Sequence, residues 1–222
     1  MAAALPPLAW CAAFWVAWLG FAQRDAEPAR RARFAIGLAL GAIACRAAWA
    51  LLHLPLLSAA PQALLDPSAG YSLLGLPLGM LAAAPRRGRT EWHAAAFAAL
   101  LPTLAVARTG CLLAGCCDGP EHPVAVYEIA GWLALARVAR HAPAAQVAPM
   151  VLLGFGGLRL VLEPLRSAPP LGEPWLAPQA LAAAWLLLGA VTGCRAAASR
   201  PRAGCTTRPR PRRRPGTEAA PS

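Results

Sequence analysis

Long apolar runs broken by short polar turns dominate the chain, and few polar residues lie inside the runs. A helix needs about 20 apolar residues to cross a bilayer. By that measure the pattern predicts seven helical segments: Leu5–Ala22, Phe34–Leu57, Tyr71–Ala84, Trp92–Cys111, Val124–Ala139, Ala148–Leu165 and Trp175–Gly193. The third is short, and Gly70, Gly75, Pro77 and Gly79 predict a packed or partly broken helix there. Such backbone is tolerated at membrane depth only when buried in protein or lining a cavity. The expected fold is all-α, a polytopic membrane helical bundle of about seven transmembrane helices over residues 1–194. Residues 195–222 are Arg/Pro-rich with no apolar face and predict a disordered basic tail. No basic stretch precedes the first apolar run, so that segment is expected to stay as a span rather than be cleaved. There is no sustained internal repeat.

Composition agrees with that pattern. The chain is 58% hydrophobic and 14% charged, with mean hydropathy +0.47, whereas a soluble domain averages about 25% charged. All 21 basic residues are Arg, and the net charge is +11. The tail carries eight Arg against Glu218, so +7 of that charge sits beyond the last apolar run. Its simplest role is to set orientation, with contact to anionic lipid as an alternative.

Loop charges predict the topology. Arg24, Arg30, Arg31 and Arg33 fill the first connection, Arg86, Arg87 and Arg89 the third, and Arg137, Arg140 and His141 the fifth. The second holds Asp66, the fourth Asp118, Glu121 and His122, and the sixth Glu173 with Arg166 at its edge. Basic and non-basic turns alternate, as the positive-inside rule expects of seven spans with the N-terminus outside and the C-terminus cytoplasmic.

Two segments break the apolar pattern. Arg108 lies inside the fourth run, and after a Gly/Cys-rich turn His122-Pro123 leads into a helix carrying Tyr127 and Glu128. Further on, Arg159, Glu163 and Arg166 recur at helical spacing, so all three can share one face. Charges at membrane depth are costly unless they pair or face a polar cavity. Together the two segments predict one buried polar site. Pro164 removes an amide donor to the carbonyl of Leu160, so a kink could splay Arg166 from its neighbours. Cys111, Cys116 and Cys117 with His122 could form a zinc site or a disulfide, but small apolar packing is the leading reading. No metal and no cofactor are expected.

These residues resemble the prolipoprotein diacylglyceryl transferase family. The family's Gly-Arg-Ile-Gly-Asn, Asn-Gly-Glu and following Gly align with Ala107-Arg108-Thr109-Gly110-Cys111, Ala114-Gly115-Cys116 and Gly119. Some members carry Gly-Cys and Gly-Cys-Cys-x-Gly at these places. Its His-Pro-x-Gln-Leu-Tyr-Glu is similar to His122-Pro123-Val124-Ala125-Val126-Tyr127-Glu128. Its Arg-Phe-x-x-Glu-x-x-Arg has the spacing of Arg159, Glu163 and Arg166, and a Gln opening its last span corresponds to Gln179. The resemblance covers about half the chain. Two departures stand out: Leu74 occupies the place of a functional third-span His, and Ala114 and Cys116 replace the Asn and Glu of the fourth-span motif.

The resemblance implies a seven-span enzyme of the bacterial cytoplasmic (inner) membrane. It would move a diacylglyceryl group from phosphatidylglycerol to the cysteine thiol of a lipobox-containing preprolipoprotein. Arg108 and Arg159 are the expected phosphate ligands, since a guanidinium presents a fork of donors that matches phosphate oxygens. A structural alternative is that Arg108 pairs with Glu128 or Glu163 and locks helices together. His122, Tyr127 and Glu128 are the candidate catalytic residues: His122 as thiol base, Tyr127 as hydrogen bonder, Glu128 as partner to Arg108. Arg166 and Gln179 are further substrate-binding candidates; Glu163 would orient an arginine, and Gly110, Gly115 and Gly119 would allow close helix approach. No nucleic-acid partner is expected. Two other readings compete: a non-catalytic or divergent-acceptor relative that binds phospholipid, and a thiol-redox or transport protein. The second lacks both symmetry between halves and a CxxC pair.

Overall fold

The computed structural model describes residues 5–65, 72–113, 122–165 and 176–198. They form α1 (Leu5–Ala22), α2 (Pro28–Leu52), α3 (Leu54–Ala59), α4 (Leu76–Ala83), α5 (Arg89–Leu113), α6 (Val124–Ala139), α7 (Ala144–Leu162) and α8 (Leu176–Ala198). Short 3-10 turns sit at Pro61–Leu64, Leu73–Gly75 and Glu163–Leu165. The described residues are all-helical, without strands. Four helices are long and apolar enough to cross a membrane: Pro28–Leu52, Arg89–Leu113, Ala144–Leu165 and Pro178–Ala198. Leu8–Ala22 and Leu73–Ala83 are shorter apolar helices. Outward-facing Trp15, Leu19, Ile43, Leu51, Val161 and Leu187 give the bundle an apolar exterior. This is the exterior of a membrane protein rather than of a domain in water.

The helix at the centre is α5, which packs on α1, α6 and α7. Its apolar stretch is 61% buried against 17% for that of α8, which packs along one side on α7. Pro102 interrupts the α5 bond ladder without ending the helix, and the Thr103 hydroxyl donates to the carbonyl of Ala99 at 2.8 Å. Two aromatic groups fill the core, one near the helix ends and one at mid-helix. Phe21 stacks on Phe34 with centroids 4.2 Å apart, beside Trp92. Trp132 stacks on Phe155 at 5.3 Å, and Trp185 meets Phe155 edge-on.

The expected segments shift where proline or packing intervenes. The bounds of α1 and α6 are those expected. The second segment begins six residues early, because Pro28 suits a first helical turn. It stops at Leu52 rather than Leu57: His53 leaves helical geometry and Pro55 restarts the chain as α3. The fifth helix gains a turn at its start and runs on to Leu113, and α7 begins at Ala144, directly after Pro143. Pro164 tightens the end of the same helix into a 3-10 turn. The last helix continues to Ala198, past the boundary set at 194, and the remaining tail lies outside the described residues.

The third segment is broken, as its glycines imply. A 3-10 turn at Leu73–Gly75 precedes the eight-residue α4. Its backbone lies flush on α2: a Cβ on Gly75 would overlap the backbone of Ala44 and Cys45, and one on Gly79 that of Gly37 and Gly41. Only glycine permits that approach. The amide of Ser72 donates to the carbonyl of Cys45 at 3.0 Å, tying the turn to α2.

Candidate functional site

Antiparallel connection brings the end of α5, the start of α6 and the end of α7 to the same end of the bundle. Each contributes one charge to a common interior position. Arg108 Nε lies 2.6 Å from Glu128 Oε2 and its Nη2 donates to Glu128 Oε1 at 3.5 Å. Arg159 Nη1 is 3.2 Å from Glu128 Oε1 and 3.4 Å from Glu163 Oε2. Arg108, Glu128 and Arg159 are 5%, 1% and 4% exposed. Glu163 is half-buried at the margin, where the 3-10 turn begins.

The helical register explains this convergence. Arg108 shares the buried face of α5 with Leu101, Leu104 and Ala105. Glu128 follows Val124 and Ala125 on the buried face of α6, and Arg159 follows Leu152, Phe155 and Gly156 on that of α7. Apolar packing therefore fixes three polar side chains in place. Among the described residues, two guanidiniums meet one fully enclosed carboxylate, an excess of positive groups at that point. Glu163 offsets it from the edge through its i,i+4 pair with Arg159.

The expected residues divide into three sets. Arg108, Glu128, Arg159 and Glu163 come together. Glu128 contacts Arg108, and Glu163 contacts Arg159. Helix locking, the structural alternative for Arg108, is equally compatible with its pair to Glu128. A second set varies in burial. Both His122 and Tyr127 are exposed, with ring centroids 6.4 Å apart. His122 precedes the helix N-cap, which is Pro123 itself, and no side chain caps that end. Gln179 is half-buried in the first turn of α8, and Gly110 is buried on α5. The third set, Arg166, Gly115 and Gly119, lies outside the described residues, as do Ala114, Cys116 and Cys117. The disulfide and zinc alternatives for the Cys-rich turn depend on those positions. Among the described residues, no three His, Cys, Asp or Glu side chains gather as a metal site would require.

Several neighbours were missed in the sequence. The Cys111 sulfur lies 3.5 Å from Arg108 Nη1, which its i,i+3 spacing could have flagged. Leu74 is buried, and its carbonyl accepts a 2.9 Å hydrogen bond from Trp185 Nε1, across 111 residues of sequence. Beside it runs an apolar groove of ≈ 350 Å³ between α2, α4 and α8, lined among others by Ala44, Ala48, Leu51, Leu78 and Trp185. Small residues on α2 were the only sequence signal for that space. On the outer side of α2, Arg46 donates to the carbonyls of Ala63 and Leu64 and lies 4.4 Å over the ring of Trp49, which pins the 3-10 turn.

The chain matches no protein-family model and no curated protein.

Proposed function

We propose that this chain is a phospholipid-dependent transferase resembling the prolipoprotein diacylglyceryl transferases. One observation carries the reading: two arginines from separate helices converge, almost wholly buried, on one carboxylate. Buried ionic groups at membrane depth are functional by default, because apolar packing would otherwise serve as well. In this reading the bundle has seven spans with the N-terminus outside, in a bacterial cytoplasmic membrane. The alternating basic turns support that arrangement.

The phosphate of phosphatidylglycerol would sit against Arg108 and Arg159. Glu128 holds both guanidiniums at fixed positions, and Glu163 aims Arg159 from the rim. The acceptor is the thiol of a lipobox cysteine arriving from the exposed end, where His122 and Tyr127 stand. His122 takes the thiol proton as a neutral imidazole. The sulfur then attacks the glycerol carbon bearing the phosphate. The carbon–oxygen bond breaks, and its electron pair leaves with glycerol phosphate. Preorganised positive charge beside that oxygen stabilises the transition state. Tyr127 serves as hydrogen bonder at the same entrance.

A second reading rests on Leu74. At the place of a family histidine stands a buried leucine whose carbonyl is taken by Trp185, which favours a phospholipid-binding relative without catalysis. One assay separates the two. The purified chain is incubated with phosphatidylglycerol in detergent micelles and a lipobox peptide, and mass spectrometry reads the diacylglyceryl mass on the cysteine. Product that disappears in Arg159→Ala supports the transferase. No product from folded protein that still binds phosphatidylglycerol sinks it and favours the second reading.

A further inference from the structure

The opposite end of the bundle holds a separate charged surface. There the turn between α1 and α2 meets the turn between α4 and α5. Trp92 Nε1 donates to the carbonyl of Arg30 at 3.2 Å. Gly88 adopts a left-handed φ of 62° and lies so close to the Arg30 guanidinium that a Cβ would collide with it. Fully buried Phe21, Phe34 and Trp92 form the floor below. Two turns distant in sequence are thus one rigid surface.

The charges on that surface are unequally matched. Asp25 and Glu27 both pair with Arg30, at 3.3 and 2.8 Å. Arg31 closes the end of α1 by donating to the carbonyls of Asp25 and Ala22, and Arg24 donates to that of Gly20. Arg33, Arg86, Arg87 and Arg89 are exposed, and none makes an ion pair among the described residues. The remaining carboxylate is Glu91, itself exposed in the first turn of α5.

We propose that this pair of turns is a second phospholipid site, taking the anionic headgroup of a lipid in the leaflet it meets. Charge complementarity selects the occupant: four unmatched guanidiniums at the rim of an apolar bundle face headgroup phosphates, which they recognise as forks. The aromatic floor and the Gly88 contact with Arg30 hold the two turns together before lipid arrives, so the backbone that carries these arginines needs little ordering. The site is independent of whatever reaction occurs at the buried cluster. The third basic turn provides an internal contrast, since Arg137 is engaged with His141 at 2.6 Å.

The test measures the affinity of phosphatidylserine for the full-length chain in neutral micelles by native mass spectrometry. Arg86→Gln/Arg87→Gln is expected to weaken binding about 30-fold, since each arginine near an anionic surface contributes about a factor of five. Arg137→Gln/Arg140→Gln is expected to leave it within about twofold of the unsubstituted chain. Should the double variant fail to fold, Arg86→Gln and Arg87→Gln singly decide the same question at about fivefold each. Unchanged affinity in these variants overturns the site. Equal weakening by the Arg137/Arg140 variant also overturns it, by showing diffuse charge attraction. Free glycerol phosphate displacing the lipid as effectively as a second phosphatidylserine would overturn the lipid as occupant.

Discussion

Arginine is treated in opposite ways at the two ends of this bundle. Arg108 and Arg159 are almost wholly buried, with carboxylate oxygens 2.6 to 3.4 Å away. Arg33, Arg86, Arg87 and Arg89 are exposed and have no carboxylate partner among the described residues. Solvation accounts for the difference. A guanidinium stripped of water must recover its hydration energy from protein acceptors, and a shared carboxylate is the most effective source. A guanidinium at the membrane surface keeps its water and gains little from any one partner. Arg30 lies between the extremes, partly buried and doubly paired. Carboxylates therefore mark where arginines are dehydrated, and unpaired arginines mark where another partner can be met.

This contrast orders the substitutions. Glu128→Ala should have the largest effect, because it leaves two buried guanidiniums without their common partner. A loss of about 3–5 kcal/mol is expected, read from denaturant unfolding in detergent. A loss as small as that of a surface pair would break the comparison. Arg108→Ala should lower diacylglyceryl transfer to the lipobox peptide about 10²–10³-fold while the protein stays folded by circular dichroism. Retained activity would leave Arg108 a helix lock and nothing more. Trp185→Phe removes the donor to Leu74 while keeping an aromatic ring and should cost about 1 kcal/mol, seen as a lower unfolding midpoint. Arg30→Gln should be the mildest, about 0.2–1 kcal/mol and smaller still at high salt, measured by the same unfolding. A salt-insensitive cost there would mean the turn is drier than its exposure implies.

Much of the cluster was legible in the sequence because its signals are local. Arg159 and Glu163 are four residues apart on a helix, and that spacing alone makes them neighbours. Arg108 and Glu128 are each anomalous in an apolar run, so pairing them required only the assumption that buried charges meet. The placement of Tyr127 and His122 was less legible. They follow a motif in sequence, yet a helix turns about 100° per residue, so Tyr127 is exposed while adjacent Glu128 is enclosed. The Trp185 bond to Leu74 had no local signal at all, since it joins segments 111 residues apart. Helix ends were misjudged mainly at proline, where the apolar pattern continues but the hydrogen-bond ladder does not. Pro55 shows this, whereas the tightening at Pro164 is what its missing amide donor implied.

The sequence by itself determined that the chain is helical and apolar, where its basic turns fall, and which charges are anomalous. These properties follow from composition and from a period that each helix carries alone. Only the tertiary structure decided that Glu128 serves both arginines, that α4 lies backbone to backbone on α2, and that two distant basic turns form one surface. Each depends on which faces meet, and that is set by close packing among helices, a property no single segment contains.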